Sequence, residues 1–325
     1  MKISCISVLV FAVSLSAGSA LAQVDDTARY PSKPVHLVIP FAPGGGNDIL
    51  GRFVGQKLSE RMGQPFVADN RIGGDGIIGT DFVAKSPADG YTLVVASSSY
   101  TTNAAVHKLP FDPVKSLMAI ALLGKGPIII AVSPATGITS LKELIAQAKA
   151  KPGQLNYATS GVGGINNFSG ELFNLQAGVR MVHVPYKSGA QQMTDVMSGH
   201  TEVLVSALAA ALVQIRAGKI RLLAVGTDKR IALMPDIPTV VESGVSGYES
   251  SIWWGIMAPA GVPATIADRL NSEIAAVLRD PETVKRLANE AAEPVIMSRQ
   301  AFGSLIVSDI AKWTKIAREA DIKAE

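Results

Sequence analysis

Cysteine is almost missing from this sequence. A single one, Cys5, stands in 325 residues, which excludes a disulfide framework and any cysteine-built zinc or iron–sulfur centre. An excess of one charge is missing too: 30 basic side chains meet 27 acidic ones for a net +3, and no run of like charges marks a nucleic-acid groove or a membrane surface. The four histidines, His36, His107, His183 and His200, show no paired metal-ligand spacing. No serine sits in G-x-S-x-G, so there is no nucleophile elbow. Asp48, Asp75, Asp195 and Glu202 supply carboxylates, but no spacing sets two of them at working distance, and helix caps or solvated faces explain them as well. Neither metal, cofactor nor catalytic constellation is called for.

Long apolar runs occur only at the N-terminus. Residues 1–22 read as Lys2, an apolar stretch from Ile3 to about Ala17, and small residues ending Ala20-Leu21-Ala22. That is the pattern of a secretory signal peptide, and it predicts cleavage after Ala22 and a protein working outside the cytoplasmic membrane. No later run reaches the ~18 apolar residues of a spanning helix, so no direct membrane insertion is expected.

What is present is core material. Apolar residues make up 48% of the chain, enough for the two domains that its length predicts at ~150 residues each. From residue 33 onward, short β-branched runs alternate with helical periodicity, the mark of an α/β protein with largely parallel sheets. Strands are predicted at 35–39, 66–68, 92–96, 128–132, 155–158, 181–184, 203–205, 222–225 and 254–258. Leu50, Val54, Leu58 and Met62 repeat at i+4, as do Leu141, Ile145 and their neighbours, giving helices with one apolar stripe. Near the C-terminus two helices follow with almost no strand between, one carrying Ile266, Leu270, Ile274 and Val277, the other Phe302, Ile306, Ile310, Trp313 and Ile316. Two uninterrupted apolar segments, 127–132 and 253–258, are candidate crossover strands. They divide the chain into one lobe of residues 30–127 plus 254–325 and a second of residues 128–253, with a ligand cleft between.

Two glycine-rich turns stand at strand ends in the first lobe. Val35 to Ile39 runs into Pro40-Phe41-Ala42-Pro43, then Gly44-Gly45-Gly46-Asn47-Asp48 and a helix capped by Asn47 or Asp48. Such a loop turns free backbone N–H groups toward an anion, though a tight connection with an ordinary cap would read the same way. It is no P-loop, because Arg52 and Phe53 stand where Lys and Ser or Thr are needed. The turn Gly73-Gly74-Asp75-Gly76 leads into a formal G-x-G-x-x-G ending at Gly79, but the next strand ends in Ser97-Ser98-Ser99 instead of the acidic residue of a dinucleotide site. In the second lobe a strand runs into Thr159-Ser160-Gly161-Val162-Gly163-Gly164-Ile165-Asn166-Asn167 and a helix. Hydroxyls and amides dominate these loops, which suits hydrogen bonding to carboxylate or amide oxygens. Trp253-Trp254, at the second crossover, reads first as core.

Taken in order, Pro40 to Asp48, Asn70-Arg71 with its glycine turn, Asp89-Gly90-Tyr91-Thr92-Leu93, Lys151-Pro152-Gly153, Val184-Pro185-Tyr186-Lys187, Pro235 to Val240, and Trp254-Gly255 with Ala258-Pro259-Ala260-Gly261 resemble the Bug family, the TctC-like receptors of tripartite tricarboxylate transporters. The resemblance covers essentially the whole chain after the signal peptide. It implies a two-lobed, type II periplasmic binding fold with two mixed sheets flanked by helices, closing on one small carboxylate-bearing molecule: an organic, aromatic or amino acid. It also implies a two-component membrane permease as partner, no nucleic acid, and a monomer. Carried over by position, the ligand meets Gly44, Gly45, Gly46, Asn47 and Asp48 and the turn Gly73, Gly74, Asp75 and Gly76. Ser97, Ser98, Thr159, Ser160, Asn166 and Asn167 complete the pocket.

Departures from the family pattern matter. Ile72 and Asp75 stand where the turn usually carries proline and a small residue, and Gly164 and Asn167 where Ser and His are frequent. The charge of Asp75 would repel a second ligand carboxylate, which points to a ligand with one carboxylate and an amide or amine. The competing functions are a receptor signalling to a sensor partner and a secreted α/β enzyme acting on a carboxylate.

Overall fold

The run Val35-His36-Leu37-Val38-Ile39 forms the first strand, β1 (Val35–Ile39), with four of its five side chains buried, as a strand covered on both faces requires. The computed structural model describes residues 29–323 except 187 and 290, with Ser160 described through its backbone; the expected signal peptide lies outside these residues. β1 lies between β2 (Phe66–Asn70) and β3 (Thr92–Ser97), parallel to both. Helices α1 (Gly46–Met62) and α2 (Ile77–Ala84) make the crossovers, and α3 (Ser99–Val106) follows β3. The sheet then turns mixed. β9 (Ser251–Pro259) inserts antiparallel between β3 and β4 (Leu117–Val132), and β10 (Glu293–Pro294) pairs with β4 at Gly124 and Lys125.

β4 belongs to both sheets. Residues 117–127 pair with β9, while residues 128–132 pair with β7 (Val203–Ala207) and β8 (Arg221–Val225). The second sheet continues from β7 to β5 (Asn156–Ser160) and β6 (Val182–Tyr186), all parallel. Its core takes in α4 (Leu141–Ala150) and α5 (Ile165–Ala177) on one face, and α6 (Gly189–Ser198) and α7 (Leu208–Arg216) on the other. The two expected mixed sheets are present and are joined through one strand.

Alternation along β1 sorts the first sheet's two faces. Leu37 and Ile39 pack with Leu50, Val54 and Leu58 of α1 and with Leu270 and Ile274 of α8 (Ala264–Arg279). Val38 packs on the other face with Trp253 and with Phe302 and Ile306 of α10 (Arg299–Glu319). Farther along the same helix, Trp313 and Ile316 join Ile130, Tyr157 and Phe168 in the second sheet's core. α10 therefore spans both sheets.

Two elements differ from the sequence-based expectation. β4 begins at Leu117, not at 127, because Gly124 and Gly126 do not break it: a Cβ on Gly124 would stand 2.6 Å from Glu293 O, and one on Gly126 3.2 Å from the Trp254 ring. These glycines admit close neighbours inside a strand. Among the described residues the C-terminal part holds three helices, not two, since α9 (Pro281–Asn289), started by proline in its first turn, lies between α8 and α10.

Candidate ligand-binding site

The C-terminal ends of β1, β2 and β3 in the first sheet, and of β5 in the second, carry the loops singled out in the sequence. In open α/β sheets this end of the strands is where ligands bind. The loops after β1 and β5 prove to be the same structure. Both read G-G-x-N-[D/N], residues 44–48 and 163–167. Gly44 and Gly163 are left-handed at φ +82° and +77°. The N-caps Gly45 and Gly164 share φ −80°, with ψ 168° and 165°. Gly44 N–H donates to Asp48 Oδ2 at 3.0 Å, and Gly163 N–H donates to Asn167 Oδ1 at 3.1 Å. In each case the third helical residue reaches back four positions to pin the loop.

Because both caps are glycine, neither cap has a side chain to close the first-turn N–H groups of α1 and α5, whereas α4, α6 and α10 are closed by Ser140, Ser188 and Ser298. Uncapped N–H groups at the positive end of a helix suit a carboxylate. The expected cap at Asn47 or Asp48 is corrected: both lie inside the first turn, and Gly45 is the cap.

Several sequence-predicted site residues turn inward to hold these loops. Asn47 donates to Val95 O. Asp48 also accepts from Arg52 Nε at 2.8 Å and Asn70 Nδ2 at 2.9 Å. Burial works to raise its carboxyl pKa, yet the bonds from Gly44, Asn70 and Arg52 hold it below the usual range. Thr159 is fully buried, bonded to Gly161 O and His183. Asn167 donates to Tyr157 OH, which donates to Glu171. Ser98 Oγ accepts from Trp253 N–H at 2.8 Å and ties β3 to the start of β9. Ser160 ends β5, its backbone paired with Tyr186.

The residues left facing outward are Gly44, Gly45, Gly46, Gly74 and Asp75, with Gly73 and Asn166 half-buried, Gly76 buried beneath the turn and Ser97 lining a cavity behind it. α3 links the two sides. Its Asn103 donates to Asp75 O at 2.9 Å, and its Val106 lies against Gly163. Trp254 lies under Gly46, its ring 3.3 Å from where a Cβ would stand. Sequence reasoning missed Asn70, Asn103, Tyr157 and His183 as supports. The repeated G-G-x-N-[D/N] string was the available signal for the loops; nothing local marked the supports.

Comparison with known proteins gives a consistent picture. The model of the tripartite tricarboxylate transporter family receptor matches residues 50–322. Protein BugT of Bordetella pertussis (strain Tohama I) is 34% identical over 311 residues, 95% of each chain. Among solved structures, R. palustris Rpa4515 with adipate is 36% identical at a TM-score of 0.81, covering 90% of this chain and 99% of that one. MatC from Rhodopseudomonas palustris with bound malate is 25% identical at a TM-score of 0.76, covering 88% and 99%.

Proposed function

Since the chain belongs to the tripartite tricarboxylate transporter family of receptors, which are periplasmic substrate-binding proteins and not enzymes, we propose that it captures a small carboxylate-bearing molecule and delivers it to a two-component membrane permease. The single observation that carries this reading is the pair of equivalent loops, each offering uncapped helix N–H groups where strands end. Rpa4515 with adipate and MatC with malate support the ligand class. In this reading Gly44 to Gly46 and Gly163 to Asn166 hold the carboxylate from two sides, and the turn Gly73 to Gly76 contacts the remainder. The lobes are residues 30–127 plus 254–325 and residues 128–253, which close about the shared strand β4, the ligand shifting an open–closed equilibrium that the permease reads. Export by the N-terminal segment 1–22 puts the receptor in the periplasm.

Thermal unfolding of the purified protein against mono-, di- and tricarboxylates, aromatic acids and amino acids tests this. Ligand at 100 times Kd adds about 2.7 kcal/mol, which raises the midpoint of a protein of this size by several degrees. A rise for one carboxylate class with the ligand recovered chemically unchanged is the expected result. A flat response across the panel from protein shown by mass spectrometry to carry no ligand would overturn the reading.

A further inference from the structure

The turn after β2 carries an acidic residue in a setting that supplies it with no donor. Asp75 is left-handed, φ +50°, between glycines that share the positive sign. Its side chain makes no hydrogen bond or ion pair among the described residues. One side stays open to solvent while protein crowds the others, and this burial pushes its carboxyl pKa up to about 6.

Beside it stands Asn103, 4% exposed. Its Nδ2 donates to Asp75 O, an atom that only accepts, so the orientation of the amide is set and Oδ1 is the atom left over. That oxygen is buried and has no partner. Both residues line a narrow cavity behind the turn, with Phe41, Thr80, Ser97 and Tyr100 among its walls, and its volume of about 10 Å³ leaves room for no more than one small polar group, the size of a water. The Tyr100 hydroxyl is already spent on Pro113 O. No lysine, arginine or histidine lines the cavity. The buried amide oxygen without a donor leaves a deficit that a ligand can fill, and the carboxylate beside it, open to solvent on one side, adds negative charge at the same place.

We propose that Asp75 and Asn103 form a subsite for a protonated amine, so that the ligand is an amino-carboxylate held by its carboxylate at the glycine loops and by its ammonium here. The inference rests on the proposed receptor function and narrows its ligand class. A dicarboxylate such as adipate would set one carboxylate against Asp75, and like charges in a confined cleft repel.

Titration calorimetry at pH 7.5 with matched pairs decides it: succinate against 4-aminobutanoate, and adipate against 6-aminohexanoate. The expected result is binding at least tenfold tighter for the amino member of a pair. Asp75→Asn, a residue that tolerates the left-handed conformation, is expected to weaken that member tenfold or more while the dicarboxylate holds or gains. Asn103→Leu should weaken the amine too, with folding checked by circular dichroism. Preference for the dicarboxylate in the parent, an Asp75→Asn effect equal on both members, or occupation of the subsite by sodium or calcium alone would overturn the inference and leave the receptor function standing. Absence of binding by every carboxylate would overturn both.

Discussion

Thr159 Oγ1 and His183 Nε2 lie 2.6 Å apart beneath the second glycine loop. The same hydroxyl donates to Gly161 O at 2.9 Å, so with its one proton spent it accepts from the ring, and His183 is protonated on Nε2. The imidazole stacks on Tyr157, whose hydroxyl accepts from Asn167. A residue read from the sequence as a ligand contact is therefore part of the frame that shapes the loop.

Burial pushes the His183 pKa down to about 4 from 6.5. Between those values the unfolded chain takes up a proton that the folded ring refuses, so the stability is complete above pH 6.5 and is lost as pH falls toward 4. The loss is on the order of 2 kcal/mol. In thermal unfolding at pH 7.5 and 4.5, His183→Gln should lose several degrees less than the parent between the two. Equal losses would free His183 from the acid response.

Asp48→Ala and Asn167→Ala remove equivalent pins from equivalent loops. Each should weaken ligand binding about tenfold, the range for outer supports of a site, without abolishing cooperative unfolding. Calorimetric Kd values for the two variants, compared with Gln56→Ala on the exposed face of α1, provide the check; an effect of Asp48→Ala no larger than the control would separate the loop from binding.

Asp75 has the opposite sign to His183. Its pKa is raised from 3.8 to about 6 by burial, so the folded state holds a proton the unfolded chain has released, and stability falls as pH rises through that window. Among the described residues no charged side chain pairs with it; the other titratable wall of the cavity, Tyr100, is itself pushed up by burial and by Asp112. Asp75→Asn should raise the unfolding midpoint at pH 7.5 and leave it unchanged at pH 4. A gain of the same size at both values would contradict this origin.

Gly170 faces Tyr157 so closely that a Cβ would collide with its ring. Gly170→Ala should cost about 1–3 kcal/mol by overpacking and should also displace Tyr157 from Asn167, weakening ligand binding. Urea unfolding and calorimetry on one preparation measure both effects. A loss of stability with unchanged Kd would uncouple the network from the site.

The strands at 35–39 and 92–96 were legible because β-branched runs buried on both faces leave an uninterrupted apolar signature, and α1 because its stripe repeats at i+4. The first half of β4 was not. Its glycines look like a break in one dimension and are demanded by Glu293 and Trp254, which lie more than a hundred residues away in the chain. The glycine loops could be read from composition, but which side of each loop a polar residue faces could not. Asp48, Thr159 and Asn167 carry the right groups for a ligand and spend them on backbone and neighbours. Asn103 acquires a role only through Asp75, which precedes it by 28 residues in sequence.

β9 occupies an interior place in the first sheet, between β3 and β4, yet it begins at Ser251. That sheet cannot close until more than three quarters of the chain exists, and its central pairings join segments over a hundred residues apart. Loops of that length close slowly. The strand order itself therefore delays the tertiary lock: the first sheet stays open between β3 and β4 until its last interior strand has arrived.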